Sequence, residues 1–225
     1  MGFVTHTLFN DDARRVLRWL PPASVDLIVT DPPYRTISGG GGGIGGRPSG
    51  MLTKNDGKIF EHNDTPISDY AADLFRVLRS PGHAYVFSNL LNLWTFQSVL
   101  VGAGFQVHNL LIWRKQNTVP NRWYMKNCEF VLFLRKGPAR AIYTPSAQMV
   151  HDFHNPVGSK SHETEKPADL MRFYIEASSQ PGETVLDPFM GTGATGVAAA
   201  QAGRRFIGVE LDETYFNVAR GRIGT

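Results

Sequence analysis

Apolar runs and turn residues alternate along the 225-residue chain. Runs rich in Val, Ile, Leu and Phe predict seven strands, at residues 4–9, 25–30, 84–87, 107–113, 130–134, 184–186 and 205–209. Helical periodicity separates several of these runs. Strands that alternate with helices predict an α/β fold with three layers around a mostly parallel, seven-stranded sheet.

Four segments between or after the strands carry apolar residues at helical spacing. The predicted helices cover a segment through Leu20 capped by Asn10 or Asp11, residues 69–78, a segment starting at Pro167, and residues 213–222. The tripeptide Ser80-Pro81-Gly82 is expected to end the second of them. Residues 35–61, which are rich in glycine, and residues 144–160 have neither periodicity.

The composition is typical of one globular domain spanning residues 1–225. Apolar residues make up 42% of the chain and charged residues 19%, and no apolar run approaches the roughly 18 residues of a membrane span. The amino terminus lacks the layout of a signal peptide. A single cysteine, Cys128, excludes an internal disulfide and fits a reducing cytoplasm. We therefore expect a cytoplasmic protein with no membrane partner.

The tetrapeptide Asp31-Pro32-Pro33-Tyr34 directly follows the apolar run at 25–30. It should lie just past the carboxyl end of a buried parallel strand, where ligands bind in open α/β sheets. The prolines cannot continue the strand's hydrogen bonds, so the turn is stiff and presents a carboxylate, carbonyl oxygens and an aromatic ring. This set suits gripping the exocyclic amine of a planar base. The alternative is a proline-rich turn with Asp31 as a cap.

A glycine-rich turn follows the predicted strand at 184–186. Asp187 precedes the segment Phe189-Met190-Gly191-Thr192-Gly193-Ala194-Thr195-Gly196, and Glu210 ends the next strand. The three glycines formally satisfy the dinucleotide fingerprint, with Glu210 near the spacing of a ribose-binding acid. A nicotinamide-dependent oxidoreductase is therefore one interpretation, and a purely structural strand-to-helix turn is another.

Asp187 separates these interpretations by its charge. A carboxylate at this strand end would repel the pyrophosphate of a dinucleotide, which such turns hold with backbone N–H groups. S-adenosylmethionine carries no phosphate, and the ammonium and sulfonium of its methionine end would be attracted to Asp187. Glu210 could still accept two hydrogen bonds from the ribose diol. Charge matching therefore favours S-adenosylmethionine as the cofactor.

These residues resemble the permuted β class of DNA amino-methyltransferases. Members carry the Asp-Pro-Pro-Tyr catalytic motif upstream of a cofactor-binding Phe-x-Gly-x-Gly motif, as here at 31–34 and 189–193. Residues 111–133 and the segment His162-Glu163-Thr164-Glu165-Lys166-Pro167 are also similar to family segments, so the resemblance covers nearly the whole chain. It implies a Rossmann-like, S-adenosylmethionine-dependent methyltransferase fold with circularly permuted motif order, encoded by a bacterium, an archaeon or a phage.

The resemblance also implies which residues act. The catalytic residues would be Asp31, Pro32, Pro33 and Tyr34. Cofactor-binding residues would be Asp11, Asp31, Lys166, Pro167, Asp187, Phe189, Gly191, Thr192, Gly193, Ala194, Thr195 and Glu210. Asp31 and the Pro32 carbonyl would each accept one N–H of the target amine, and Tyr34 would stack on the base flipped from the duplex. Asp at position 31 favours the N6 of adenine, with the N4 of cytosine as the alternative.

The permuted order leaves a place in the sheet for the first predicted strand. After Glu210 the chain forms one helix, so a βαβ unit lacks its last strand, which residues 4–9 can supply. Asp11 would then lie beside the cofactor, where the resemblance puts an acid against the adenine ring. The alternative is that Asp11 only caps the first helix.

Positive charge is concentrated between residues 114 and 140, with tryptophan and tyrosine interleaved. Basic side chains with aromatics suit phosphate contact and stacking on bases, and the alternative is a solvated face. Double-stranded DNA is the expected partner. The predicted DNA-binding residues are Arg35, Arg47, Arg114, Lys115, Arg122, Trp123 and Lys126, the first two in a flexible glycine-rich insertion at 35–61.

The segment at 135–161 is short for a family that usually keeps a target-recognition domain there. The resemblance therefore leaves open how the target is read, by the loops at 35–61 and 114–126 or by a homodimer. Cytosine carbon-5 methylation is disfavoured because Cys128 lacks the expected preceding proline and enters an apolar strand. His151, His154 and His162 have no neighbours that complete a ligand set, so no metal is expected.

Overall fold

One eight-stranded sheet organises the computed structural model, which describes residues 5–33, 65–119, 124–154 and 166–224. Its strands are β1 (His6–Asn10), β2 (Val25–Thr30), β3 (Leu78–Ser88), β4 (Gln106–Val119), β5 (Lys126–Lys136), β6 (Val150–Asp152), β7 (Thr184–Asp187) and β8 (Arg205–Glu210). Their order across the sheet is β1-β8-β7-β2-β3-β5-β4-β6. β5 runs antiparallel to its neighbours β3 and β4, and the other neighbouring pairs are parallel.

Helices cover both faces of this sheet. They are α1 (Ala13–Trp19), α2 (Ala71–Val77), α3 (Leu93–Gly102), α4 (Ala168–Ser178), α5 (Ala194–Gln201) and α6 (Glu213–Ile223), with a 3-10 turn at Ile67–Asp69 before α2. Along β2, Ile28 packs into one core with α1, α2 and α3. Leu27 and Val29 point the other way, into a second core with α4, α5 and α6. The predicted three-layer α/β architecture is therefore confirmed.

The strand count differs from the prediction by one. The additional strand, β6, has three residues and pairs in parallel with β4 inside the segment expected to be a recognition region. A strand this short carries no periodicity that a sequence pattern can show.

The expected stop signal Ser80-Pro81-Gly82 lies inside β3 instead of after a helix. Helix α2 ends at Val77, and β3 begins with the next residue. The β2–β3 pairing is interrupted between the pairs formed by Val25 and by Leu27. Pro81 falls in this irregular stretch, where a residue without an N–H costs no ladder bond.

Helix α1 is capped by Asp12, not by Asn10 or Asp11 as predicted. The Asp12 side chain accepts a hydrogen bond from the Arg14 N–H at 2.8 Å. The preceding residues extend β1 and the turn after it, which moves the cap along the chain. An aspartate at this position satisfies one of the free N–H groups of the first turn.

The first strand fills the place that the permuted order leaves for it. β1 pairs in parallel with β8, and Asn10 lies opposite Glu210. The Asn10 side chain donates to the carbonyls of Glu210 and Leu211, at 2.9 and 3.1 Å. This prediction is confirmed. Within the described ranges, no helix is long and apolar enough to cross a membrane.

Candidate active site

Two turns meet at the carboxyl edge of the sheet. β2 and β7 are neighbours, with Ile28 opposite Leu186. At their ends, the Thr30 hydroxyl donates to Asp187 Oδ1 at 2.8 Å, and Asp31 follows Thr30 directly. The acid at 31 and the glycine-rich turn therefore share one site, as the sequence predicted, although 156 residues separate Asp31 from Asp187 along the chain.

Asp31 presents two unlike oxygens. Its side chain is 26% exposed, and its Oδ2 lies 2.5 Å from the ammonium of Lys166. Its Oδ1 is buried and has no hydrogen-bond partner among the described residues. A buried polar atom without a partner costs free energy unless a ligand supplies one. Pro32 beside it is buried and Pro33 half-buried.

The ammonium that holds Asp31 belongs to a longer chain of charges. Lys166 is 7% exposed and also lies 3.0 Å from Oε2 of Glu129. The other oxygen of Glu129 binds the ammonium of Lys115, which in turn lies over the ring of Trp113. Burial and the charge of Glu129 raise the pKa of Asp31, whereas Lys166 opposes them. Burial also acts to raise the pKa of Glu129, but Lys166 and Lys115 together hold that pKa below its ordinary value.

Asp187, unlike Asp31, is fully engaged by its own fold. It is 3% exposed, and it accepts from the hydroxyls of Thr30 and Thr195 and from the Phe189 N–H, at 2.8, 2.7 and 3.1 Å. Burial raises its pKa to about 6, in spite of these hydrogen bonds. Through these hydrogen bonds the carboxylate of Asp187 stabilises the glycine-rich turn. Its predicted contact with the cofactor stays a prediction.

The glycines of the turn have different surroundings. Gly191 has φ 53° and Gly193 has φ 86°, a region that favours glycine. A Cβ on Gly191 would meet no described atom within 4 Å, whereas one on Gly193 would lie 3.0 Å from Ala219 in α6. Gly191 therefore faces the open side of the turn and Gly193 its packed side. The buried Thr192 between them is held by Arg222, which donates to its carbonyl at 2.9 Å.

Glu210 closes the turn from the end of β8. Its two oxygens accept the N–H groups of Gly191 and Asp212, at 2.9 and 2.8 Å, and burial raises its pKa. The N–H of Gly191 is one that a dinucleotide site would offer to a pyrophosphate. Here it is donated to a carboxylate, which argues against a phosphate ligand.

Several other predicted cofactor residues take positions around the same turn. Asp11 pairs with Arg15 at 2.8 Å and is not the helix cap, so its predicted contact with an adenine ring stays a prediction. Pro167 is the residue before α4, and α5 begins with the buried Ala194 and Thr195. Lys166 directs its ammonium to Asp31 and Glu129, and a cofactor contact by this residue also stays a prediction.

Tyr70 is a site residue that the sequence did not indicate. Its side chain is fully buried, and its ring meets Phe189 edge-on, with centroids 4.9 Å apart. Burial raises its pKa, and the charges of Asp69 and Asp31 add to that effect. Its hydroxyl has no partner among the described residues. In the sequence Tyr70 is one apolar residue within the helical pattern predicted at 69–78, which carries no signal for a site.

The predicted DNA-binding residues are only partly described. Arg35, Arg47, Arg122 and Trp123 lie outside the described residues, and so does Tyr34, a predicted catalytic residue. Lys126 starts β5, and only its backbone is described. Arg114 is 57% exposed and pairs with Asp152 at 2.5 Å. Lys115 is 24% exposed and is bound to Glu129. Phosphate contact by Arg114 and Lys115 stays a prediction.

The basic stretch at 114–140 does not form one patch. β4 ends at the carboxyl edge of the parallel strands, and the antiparallel β5 carries the chain to the opposite edge. There Lys136 donates to the Phe75 carbonyl at 2.6 Å near the end of α2, and Arg140 donates to the Ser178 carbonyl at 2.6 Å at the end of α4. These cations satisfy helix carbonyls. Of the described cations in this stretch, Arg114 and Lys115 at its beginning lie on the side of the site.

Cysteine and histidine take structural positions. Cys128 is half-buried in β5. His151 is buried, bonds the Tyr174 hydroxyl at 3.0 Å, and has its pKa lowered by burial. His162 lies outside the described residues. Over the described part of the chain, no three His, Cys, Asp or Glu residues are grouped as metal ligands.

Comparison with known proteins identifies relatives over nearly the whole chain. Type II methyltransferase M2.DpnII of Streptococcus pneumoniae is 29% identical over 237 residues, covering 96% of this chain and 88% of that protein. Type II methyltransferase M.HinfI of Haemophilus influenzae is 28% identical over 254 residues, covering 97% of this chain and 68% of that protein.

Solved structures share the fold. TTHA0409 of Thermus thermophilus, complexed with S-adenosyl-L-methionine, superposes with a TM-score of 0.73 and 26% identity over 97% of this chain and 93% of that one. The M1.HpyAVI–SAM complex gives a TM-score of 0.71 at 24% identity, over 97% of this chain and all of that one (100%).

A family model described as DNA methylase, N6_N4_Mtase, matches residues 25–221 and so includes both turns of the site. This match contradicts the nicotinamide-dependent interpretation. It confirms, together with the relatives, the predicted class of S-adenosylmethionine-dependent DNA methyltransferase. The chain belongs to the N6_N4_Mtase family of DNA methylases.

Proposed function

We propose that this protein transfers a methyl group from S-adenosylmethionine to the exocyclic N6 of adenine in double-stranded DNA, after the base is flipped from the duplex. The main support is Asp31, whose Oδ2 is held by Lys166 while Oδ1 is buried without a hydrogen-bond partner among the described residues. An exocyclic amine offers the N–H that this oxygen lacks. Oδ1 of Asp31 can therefore accept a hydrogen bond from an N–H of the target base.

The residues around the glycine-rich turn fit S-adenosylmethionine. The open side of Gly191 leaves room for a ligand close to the backbone, and Glu210 presents an acid suited to a ribose diol. Gly191, Gly193, Glu210 and Asp11 are the residues that would hold it. When bound, S-adenosylmethionine supplies an electrophilic methyl group on a sulfonium.

Asp31 and Pro32 would activate the amine. The lone pair of an exocyclic nitrogen is delocalised into the ring, so the nitrogen is a poor nucleophile. Asp31 Oδ1 and the Pro32 carbonyl would each accept one N–H and draw the nitrogen toward tetrahedral geometry, while Tyr34 stacks on the base. The amine nitrogen would form a bond to the methyl group as that group's bond to the sulfonium sulfur breaks, and the nitrogen would then release one proton to water. Positioning and fixed charges supply the rate.

Tritiated-methyl transfer to unmethylated genomic DNA, followed by nucleoside analysis, tests this proposal. We expect the label in N6-methyladenine. Label in N4-methylcytosine would favour the alternative target, to which the same two acceptors could bind. Absence of label with active cofactor and unmethylated DNA would contradict the proposal.

Double-stranded DNA would be gripped by the basic residues on the side of the site. Arg114 is exposed there, in the second half of β4. If the predicted cations contact phosphates, the DNA affinity should fall steeply between low and physiological salt, because each contact releases counterions. An affinity that does not change with salt would contradict this part of the proposal.

The predicted cytoplasmic location belongs to the same proposal, since the enzyme must reach chromosomal DNA. The relatives named above come from bacteria, which supports it. The predicted homodimer stays a prediction, which sedimentation of the purified protein with and without DNA would test.

A further inference from the structure

Four charged side chains from different parts of the chain form a continuous row that ends at Asp31. Lys166, just before α4, lies between Asp31 and Glu129, at 2.5 and 3.0 Å. Glu129 from β5 also binds Lys115 from β4. Two ammonium groups thus face two carboxylates, and the row carries no net formal charge. Three of its members, Lys166, Glu129 and Lys115, are at most 24% exposed.

The position of Glu129 changes what Lys166 does to Asp31. A buried ammonium with a single carboxylate partner would place its whole positive charge on that partner, and a carboxylate bound this tightly is a weaker acceptor. Glu129 attracts the same ammonium from the other side. Lys166 is therefore held on one oxygen of Asp31 and shares its charge with a second acid.

We propose that Glu129 is a positioning residue for methyl transfer: it holds Lys166 on Oδ2 of Asp31 and offsets its charge, so that Oδ1 remains a strong acceptor for the target amine. Glu129 acts through Lys166 and does not itself contact the substrate. This inference rests on the proposed function, because it assigns Asp31 the role of amine acceptor.

The charges around Asp31 determine in which direction each substitution should move its pKa. Five described groups interact electrostatically with Asp31, and each belongs to a different element or to the turn beside it. They are Lys166, Glu129, Lys115, Asp187 and Tyr70. Glu129 raises the pKa of Asp31, whereas Lys166 and Lys115 lower it. Methyl transfer needs Asp31 ionised, so the acid limb of the kcat–pH profile should follow this pKa.

The experiment measures tritiated-methyl transfer by the full chain at saturating DNA and cofactor over a range of pH. Glu129→Gln removes the negative charge, so the acid limb should move to lower pH and kcat should fall about 10- to 100-fold, the range found for residues that orient metal ligands from behind. The KM for S-adenosylmethionine should not change. Lys115→Gln removes a positive charge, so its acid limb should move to higher pH.

Two further variants separate charge from packing. Glu129→Asp keeps the charge, so its acid limb should stay at the wild-type pH even if kcat falls. Glu176→Gln makes the same change in an exposed pair with Arg172, in which both side chains are more than 40% exposed, and should alter neither kcat nor the acid limb.

The outcomes are distinct. An unchanged kcat in Glu129→Gln would overturn the inference, and so would a lower kcat with an unmoved acid limb, which is the result of a merely structural role. If Glu129→Gln does not fold, as judged by its melting curve, the other two variants decide. The acid limb should move to higher pH in Lys115→Gln and stay at the wild-type pH in Glu129→Asp, and any other result would overturn the inference. Wild-type protein without methyl transfer would overturn the proposed function, and the inference with it.

Discussion

Asp31 lies just past the end of β2 and Asp187 ends the neighbouring strand β7, yet the hydrogen bonds of their carboxylates differ. Asp187 accepts three hydrogen bonds from its own fold, whereas Oδ1 of Asp31 is buried without a partner among the described residues. The same residue type is thus fully hydrogen-bonded by the fold in one turn and has an acceptor atom without a described partner in the other. The difference lies in which hydrogen bonds the fold itself satisfies.

Replacing Asp31 should have the largest effect on catalysis. Asp31→Ala removes the acceptor of the target amine, so kcat should fall by about 10²–10⁴-fold, the usual contribution of a positioned acid or base. Cofactor binding should remain mostly intact, because the turn held by Asp187 is untouched. Single-turnover methyl transfer and cofactor titration measure the two quantities. Near-normal turnover on target DNA would refute the role of Asp31.

Asp187 should affect stability through its pKa. Burial raises that pKa from 3.8 to about 6. The native state therefore binds this proton more tightly than the unfolded chain does. The resulting stability is present below the unfolded pKa and is lost as the pH rises through about 6. A shift of about two units corresponds to about 3 kcal/mol.

Urea unfolding at a series of pH values would show this dependence. Relative to Asp187→Asn, which cannot titrate, the wild-type free energy of unfolding should fall by up to about 3 kcal/mol between about pH 4 and pH 6. A difference curve that is flat over this range would show that burial does not raise the pKa of Asp187.

The smallest of these effects concerns one hydrogen bond to Asp187. Thr195→Val keeps the shape of a buried side chain but removes its hydroxyl donor, so the free energy of unfolding should fall by about 2 kcal/mol. Thr7→Val, at an exposed position of β1, is the matched control and should be neutral. A Thr195→Val protein of full stability whose kcat falls as far as that of Asp31→Ala would reverse the comparison.

Both turns of the site could be predicted because their signals are local. The motif at 31–34 and the glycine-rich turn each follow an apolar run directly, and parallel strands bring their carboxyl ends to one edge of the sheet. The place of the first strand beside β8 also followed from the order of the motifs. These inferences need only neighbouring residues and the direction of the strands.

The row of charges at Asp31 could not be predicted in the same way. Lys166 is 135 residues from Asp31, and Glu129 is 14 residues from Lys115, on separate elements whose register no local pattern fixes. The division of the basic stretch between two opposite edges of the sheet could not be predicted for a related reason. The stretch crosses the sheet on the antiparallel β5, so cations that are near in sequence end at opposite edges.

The pairing of β1 with β8 has a consequence for how this protein acquires its structure. Asn10 and Glu210, joined by a hydrogen bond, are 200 residues apart. β1 must therefore wait, unpaired, until the 200 residues that separate Asn10 from Glu210 have been made. Contacts between such distant residues slow folding. The edge of the sheet next to Glu210 should consequently form only after β8 has been made, and methyl-donor binding should begin only then.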